Sequence, residues 1–346
     1  MAPVSSFPRR AASALAGAFL IAGCGAPAPE QAAGEDALTR TNCGIDVAVG
    51  APPERLYAAY QPGIEVAHAL GLSDRLVGTA FLDAEVLPEY ADEQAEAEYV
   101  PTLPSREGLL ETEPDFVISG YNGFFAENSP DRSVGTRASL RELGVQSWIL
   151  SPLCPSEDGL TDRAIDPGSV RVGSVYRDLR DLGALFGAEE NAEQVISDMR
   201  ERISAVEEQV EGAERPSVAI VSPGEDGGYR VASGIDFGTR IIEHAGGVNA
   251  FADLTEKRNV DVGVEELVER DPDVILTDAC CDAGLTTQDA EDEVRAITSD
   301  PALEGVTAVA GGDVHPFLFA DRAAGVRAAH SIELVAAHIH PDLVEQ

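Results

Sequence analysis

Glu107-Gly-Leu-Leu-Glu-Thr-Glu-Pro114-Asp115-Phe-Val-Ile118 and Glu265-Glu-Leu-Val-Glu-Arg-Asp-Pro272-Asp273-Val-Ile-Leu276 are two versions of one pattern. In each, a glutamate opens a short amphipathic helix, Pro-Asp follows, and an apolar run begins at once. Proline ends a helix, and the β-branched run after it has the character of a buried strand. A helix–Pro-Asp–strand unit that occurs twice predicts an α/β protein of two lobes, each with a central sheet, and a cleft between them. In such sheets ligands bind beyond the carboxyl ends of the strands.

Outward from the repeat, strands are expected at 56–59, 76–80, 116–119 and 148–150 in the first lobe. In the second lobe they are expected at 217–221, 229–231, 274–277, 308–309 and from 314. Helices are expected at 63–70, 107–113, 237–245 and 327–338, with Gly71, Gly144 and Gly246 as stop signals. Between the lobes Val172, Val175, Tyr176, Leu179, Leu182, Leu185 and Phe186 fall at helical spacing. Ala192, Val195, Ile196, Met199, Ile203 and Val206 continue the pattern, with a bend at 187–189. Residues 169–212 are therefore a helical connector, between a lobe at 42–168 and a lobe at 213–346. A flexible hinge would be rich in Gly and Ser instead.

The N-terminus has the features of an export signal over 1–23. Arg9 and Arg10 precede an apolar run that ends in Leu20-Ile21-Ala22-Gly23-Cys24. This ending resembles a bacterial lipobox, which implies lipidation of Cys24 and anchoring at the outer face of the cell membrane. Residues 24–41 have the composition of a flexible tether. The net charge of −37 argues against a nucleic-acid partner, and an anionic ligand would need local arginines to enter so acidic a molecule. Cys43, Cys154, Cys280 and Cys281 are disulfide candidates outside the cytoplasm. One or two long-range bridges are expected, with a bond between the adjacent Cys280 and Cys281 the least expected arrangement.

From about Asn42 onward the chain resembles the class III substrate-binding lipoproteins of ABC importers. The resemblance is carried by Pro53-Glu54-Arg55-Leu56, by Glu65 through Gly78, by both repeats, by Ala245-Gly246-Gly247-Val248-Asn249 and by His340-Pro341-Asp342. It implies two α/β lobes joined by a long helix and a monomer that serves permease subunits. It also implies a large ligand: a ferric siderophore, or alternatively cobalamin, haem or another cofactor precursor. Glu107 and Glu265 match the family's two glutamates that contact arginines on the permease. Without the family, each reads simply as an acidic residue favouring a helix N-terminus.

The resemblance leaves the cleft residues open, so geometry selects them. Loops after strands offer Tyr60, Gln61, Tyr121, Asn122, Phe124 and Phe125 on the first lobe, with Trp148 a candidate that also suits a core. The second lobe offers Tyr229, Arg230, Phe237, Phe317, Phe319 and Arg322. Aromatic groups supply contact area, and arginines grip carboxylates or phosphates. Of six histidines only His315 is expected near a strand end, which is a poor basis for a metal site. No G-x-S-x-G, H-E-x-x-H, P-loop or dinucleotide motif is present, so no catalytic residue, cofactor or metal is assigned. The rival from another class is a thiol-dependent redox protein using Cys154 with Cys280 or Cys281, although Asp278 and Asp282 disfavour a low-pKa thiol there.

Overall fold

The computed structural model describes residues 37–126, 134–155, 165–224 and 227–344. Cys24 and most of the expected tether lie outside the described residues. The described chain begins with a hairpin, β1 (Leu38–Asn42) and β2 (Ile45–Val49), paired antiparallel. The sequence predicts a tether running to residue 41. Instead, alternation of half-buried and exposed residues from Leu38 makes an edge ribbon that packs toward the first lobe.

The first lobe then alternates strand and helix: β3 (Leu56–Ala59), α1 (Gln61–Ala69), β4 (Leu76–Ala80), α2 (Ala91–Glu96), β5 (Tyr99–Val100), α3 (Arg106–Glu111), β6 (Phe116–Ser119), α4 (Arg137–Arg141) and β7 (Gln146–Ile149). Its five strands are all parallel in the order β5-β4-β3-β6-β7. Every residue of β3 and β6 is buried, as expected of central strands covered on both faces.

Two helices follow, α5 (Val172–Phe186) and α6 (Glu189–Gln209). Gly187 separates them at φ +70°, a left-handed cap that glycine adopts without steric cost. Along α6, Ala192, Ile196, Met199, Ile203 and Val206 form the buried stripe predicted by their spacing.

The second lobe contains β8 (Ser217–Pro223), β9 (Tyr229–Ala232), α7 (Phe237–His244), β10 (Val248–Asn249), β11 (Asn259–Val262), α8 (Val264–Arg270), β12 (Val274–Leu276), α9 (Glu291–Thr298), α10 (Thr307–Gly311), β13 (Val314–His315) and α11 (Ala328–Ile339). Its sheet is mixed, in the order β11-β9-β8-β12-β13 with β10 beside β8. Residues 308–309 lie in α10 and not in a strand; two apolar residues cannot distinguish the two periods. Helix α6 packs on α5 and α11 and reaches α1 and α7, so it touches helices of both lobes.

The sequence repeat is also a structural one. Asp115 accepts hydrogen bonds from the N–H groups of Glu54 and Arg55, at the entry to β3, and its own N–H donates to Arg55. Asp273 accepts from the N–H of Ser217, the first residue of β8, and donates back to the same residue. The residues before the two prolines, Glu113 and Asp271, both take positive φ, at 47° and 43°. Each unit thus stops its helix and fastens its strand to the start of the neighbouring parallel strand.

A buried ionic cluster ties the lobes together. The Arg327 guanidinium, at the start of α11, lies 2.6 Å from Glu65 of α1 and 3.1 Å from Asp321, and donates to the Glu85 carbonyl. Glu65 also accepts from Gln61 and from the N–H of Leu87. Stripped of water, a carboxylate and a guanidinium need every such partner.

Candidate functional site

The carboxyl ends of the parallel strands open on a cavity of about 690 Å³, walled by both lobes. On the first lobe, Tyr60 follows β3, Phe81 follows β4 and Tyr121 follows β6. Their rings meet edge to face around Tyr60, at 5.3 Å from Phe81 and 5.6 Å from Tyr121, with Phe124 behind. The result is one aromatic wall.

Tyr60 and Phe81 hold φ of 65° and 62°, and across the cavity Cys281 holds 84°. Residues with side chains rarely accept such angles, at a cost of about 1–3 kcal/mol each. Three such residues lining one cavity show where the scaffold is being held to an unfavourable shape.

The second lobe presents an ionic wall. Arg258 and Arg322 flank Phe319, with guanidinium carbons 5.9 and 4.4 Å from its ring centre. Asp236 caps α7 through the N–H of Gly238 and lies 3.0 Å from Arg258. Arg322 is sealed from solvent, 3.3 Å from Asp278, and also contacts Asn259. Arg230 stands at the rim, half exposed and paired with Asp261.

Two cavity carboxyls are perturbed. Burial pushes Asp83 up to about 7, against the attraction of Arg258, Arg322 and Arg327. Burial likewise pushes Asp278 up to about 7, opposed by Arg322 and reinforced by Asp236. The charge of the cleft therefore changes near neutral pH.

Of the residues expected from sequence, Tyr60, Tyr121, Arg230 and Phe319 line the cavity. The others do not. Gln61 is fully buried, accepting from the N–H groups of Asp83 and Ala84. Phe124, Phe125, Asn122, Phe237 and Phe317 lie in the interior. Trp148 is also core, its indole N–H donating to Asp178, which accepts two further hydrogen bonds from Ser151. Tyr229 turns its hydroxyl to Asp300, 2.5 Å away. Arg322 sits beneath the wall, behind Phe319. His315 stacks on His338 at 4.3 Å and is not part of the cavity lining.

Sequence reasoning missed Phe81, Asp83, Arg258 and Asp278. Asp83 and Asp278 shortly follow strands β4 and β12, so the strand-end rule could have found them. Arg258 precedes β11, and nothing in the sequence marks it.

The cysteines correct two expectations. Cys43 pairs with Cys154, a bridge spanning 111 residues that ties the turn of the N-terminal hairpin to the first lobe. Cys280 pairs with its neighbour Cys281, the arrangement least expected from sequence, and this pair lines the cavity. A redox couple of Cys154 with Cys280 or Cys281 is thereby excluded from this arrangement, since each sulfur already has another partner. Asp83, Cys280 and Cys281 group their potential metal-ligand atoms within 4.8 Å, but bonded sulfurs offer no thiolate.

Two α/β lobes bridged by a helix, with a large cavity between their strand ends, define a protein that encloses a solute. The chain belongs to the periplasmic binding protein family, whose model matches residues 58–315. It is 24% identical to the uncharacterized ABC transporter substrate-binding lipoprotein YvrC of Bacillus subtilis, over 97% of this chain and 98% of the relative. Its fold is similar to that of a periplasmic binding protein from Veillonella parvula, with TM-score 0.73 and 23% identity over 88% of this chain and 98% of the other. It is also similar to an ABC-type Fe3+-hydroxamate transport system protein from Saccharomonospora viridis, with TM-score 0.67 and 25% identity over 88% and 99% of the two chains.

Proposed function

We propose that this chain is an extracytoplasmic solute-binding lipoprotein that captures a ferric siderophore between its lobes and delivers it to an ABC importer. The observation that carries the reading is the cavity of about 690 Å³ with an aromatic wall facing an arginine wall. That volume suits a bulky organic chelate and far exceeds a bare ion. The name of the Bacillus relative and the Fe3+-hydroxamate title of the Saccharomonospora structure support the same assignment. Acylated Cys24 anchors the protein, and the tether lets the lobes reach the permease.

Glu107 and Glu265 dock the protein. Both are exposed in the first turns of α3 and α8. Each opens the helix that leads into β6 or β12, so the two carboxylates hold equivalent positions on the two lobes. Two carboxylates on separate lobes would register the cleft over the translocation path.

The test is mass spectrometry and visible absorption of ligand that co-purifies with the protein, followed by calorimetric titration with a ferric tris-hydroxamate. A charge-transfer band and saturable binding are expected. A haem or corrinoid spectrum would replace the siderophore with those cargoes, and an empty protein that binds no chelate would refute the assignment. Glu107→Ala with Glu265→Ala should abolish uptake in cells while chelate affinity stays within about twofold. Loss of affinity in that variant would move the glutamates into the cleft.

A further inference from the structure

The Cys280–Cys281 pair heads a segment that crosses between the lobes. The N–H of Cys281 donates to the Asp83 carbonyl at 2.9 Å, and the N–H of Glu85 donates to the Leu285 carbonyl at 3.0 Å. Ala84 of the first lobe packs in one apolar cluster with Ala279, Ala290, Leu318 and Ala320 of the second, and Leu285 rests against it. Residues 279–285 thus form a strap, hydrogen-bonded through Cys281 and Leu285 to residues 83–85 of the first lobe at one side of the cavity.

The strap depends on an unfavourable backbone. Cys281 carries φ +84°, an angle that a residue with a side chain leaves when nothing holds it. The ring closed by two adjacent cysteines is the covalent restraint at that position. It also fixes the direction of the Cys281 N–H, and hence the hydrogen bond to the other lobe. The Cys280 sulfur lies 3.6 Å from Asp83 Oδ1. A bonded sulfur has no hydrogen, so this contact is a hydrogen bond only while the Asp83 carboxyl is protonated and donates.

Access differs between the two bridges. Cys281 is exposed and Cys280 half-buried on the cavity wall, whereas in the other bridge Cys43 is half-buried and Cys154 buried.

We propose that the Cys280–Cys281 disulfide is a thiol-reducible latch that holds the two lobes across the cavity and makes cargo retention depend on redox state. The latch itself stands on the cross-lobe contacts; the effect on cargo rests on the binding-protein reading above. An external thiolate attacks the exposed Cys281 sulfur and forms a mixed disulfide, and Cys280 leaves as a thiolate beside Asp83. A second external thiolate then attacks the external sulfur of the mixed disulfide and releases Cys281. Two external thiols become one disulfide, and two electrons and two protons pass to Cys280 and Cys281. Cys281 then relaxes from positive φ, its N–H turns away from Asp83, and the strap detaches.

The test is hydrogen exchange of the mature protein, followed on peptides covering 82–87 and 279–286. It is run oxidised, after graded reduction with a small dithiol, and in the Cys280→Ser, Cys281→Ser double variant. Alkylation mapping shows which bridge has opened. Cys280–Cys281 should open first with Cys43–Cys154 intact, and exchange in both peptides should rise by about tenfold in the reduced protein and in the variant. Unchanged exchange in either would overturn the latch, as would earlier opening of Cys43–Cys154. In parallel, a ferric tris-hydroxamate is titrated into oxidised and reduced protein, with about fivefold weaker binding expected on reduction. Equal affinity in both states would overturn the effect on cargo. If the chelate binds neither state, the cargo assignment fails, while the exchange measurement still decides the latch.

Discussion

The two lobes share how their strands begin and differ in how their strands end. At the amino edge both use the same device, a Pro-Asp that fastens one strand to the start of its parallel neighbour. At the carboxyl edge the first lobe lines the cavity with Tyr60, Phe81, Tyr121 and a single carboxyl, Asp83, and the second lines it with Arg230, Arg258, Asp278 and Phe319. One end of the unit is a joint whose geometry is fixed by backbone hydrogen bonds. The other end is free to take any side chain that suits a solute, which is why the repeat reports architecture and says little about cargo.

The contrast between walls is sharpest in energy. Arg322 is sealed between Asp236 and Asp278, and its removal leaves Asp236 to Arg258 alone and takes from buried Asp278 its ion-pair partner. Arg322→Met should therefore lower stability by about 3–5 kcal/mol, read from the denaturant midpoint. A loss under about 1 kcal/mol would mean that Asp278 simply becomes neutral, and the ionic description of that wall would fail.

The two cavity carboxyls, one from each lobe, should impose a pH slope. Asp83 and Asp278 have folded pKa values raised to about 7, well above the unfolded carboxylate range. Between about pH 4 and 7 the folded state holds protons that the unfolded state has released. Their contribution is thus full at low pH and is lost as pH rises through 7, at up to about 1.4 kcal/mol per pH unit for each group. His338 acts in the opposite sense, because burial lowers it to about 4 and folding is favoured as pH rises through that window. Asp278→Asn should make the stability profile between pH 5 and 7 tilt further toward higher pH. An unaltered profile would remove Asp278 as its source.

The aromatic wall is tested through its backbone. Tyr60 sits at φ 65° and ψ 154°, a region that glycine enters freely. Tyr60→Gly and Tyr60→Ala both remove the ring, but only alanine keeps the strain. Glycine should be the more stable of the two by about 1 kcal/mol, after its greater unfolded-state entropy is subtracted. If alanine is equal or better, the backbone at Tyr60 is not strained. Both variants should weaken cargo binding alike.

What the sequence made legible follows from the same division. The paired Pro-Asp units, the helical spacing from Val172 to Val206 and the strands at Leu56–Ala59 and Phe116–Ser119 are local signals, and the fold follows from them. The cavity is different because its members meet only across long stretches of chain. Gln61 and Tyr60 are neighbours at one strand end, yet one turns inward to cap Asp83 and Ala84 and the other outward to the cavity. Strand-end position offers both and cannot choose. Trp148 and Phe237 are aromatic and near loops, but the apolar core that runs through both lobes claims them, with Asp178 accepting from the Trp148 indole. Sequence disfavours the vicinal bridge because adjacent cysteines make a strained pair, and that rule does not consider a loop held from outside by another lobe.

The smallest expected loss, at Asp273, belongs to a test of the shared joint itself. Asp115 accepts from two backbone N–H groups through separate carboxylate oxygens, Oδ2 from Glu54 and Oδ1 from Arg55. Asp273 accepts from one, Ser217. Asparagine keeps one acceptor oxygen and replaces the other with a donor. Asp273→Asn can rotate its amide to keep its single bond and should cost no more than about 0.5 kcal/mol. Asp115→Asn must lose one bond and point an N–H group at another, which should cost about 1–1.5 kcal/mol. Both sites are partly open to water, so neither value should approach that of a buried charge. Chemical denaturation of the two variants under one set of conditions gives the difference directly. Equal losses would show that the joint is held by the strand backbone alone. A larger loss at Asp273 would mean that the second lobe, with its mixed sheet, relies on this contact more than the parallel first lobe does.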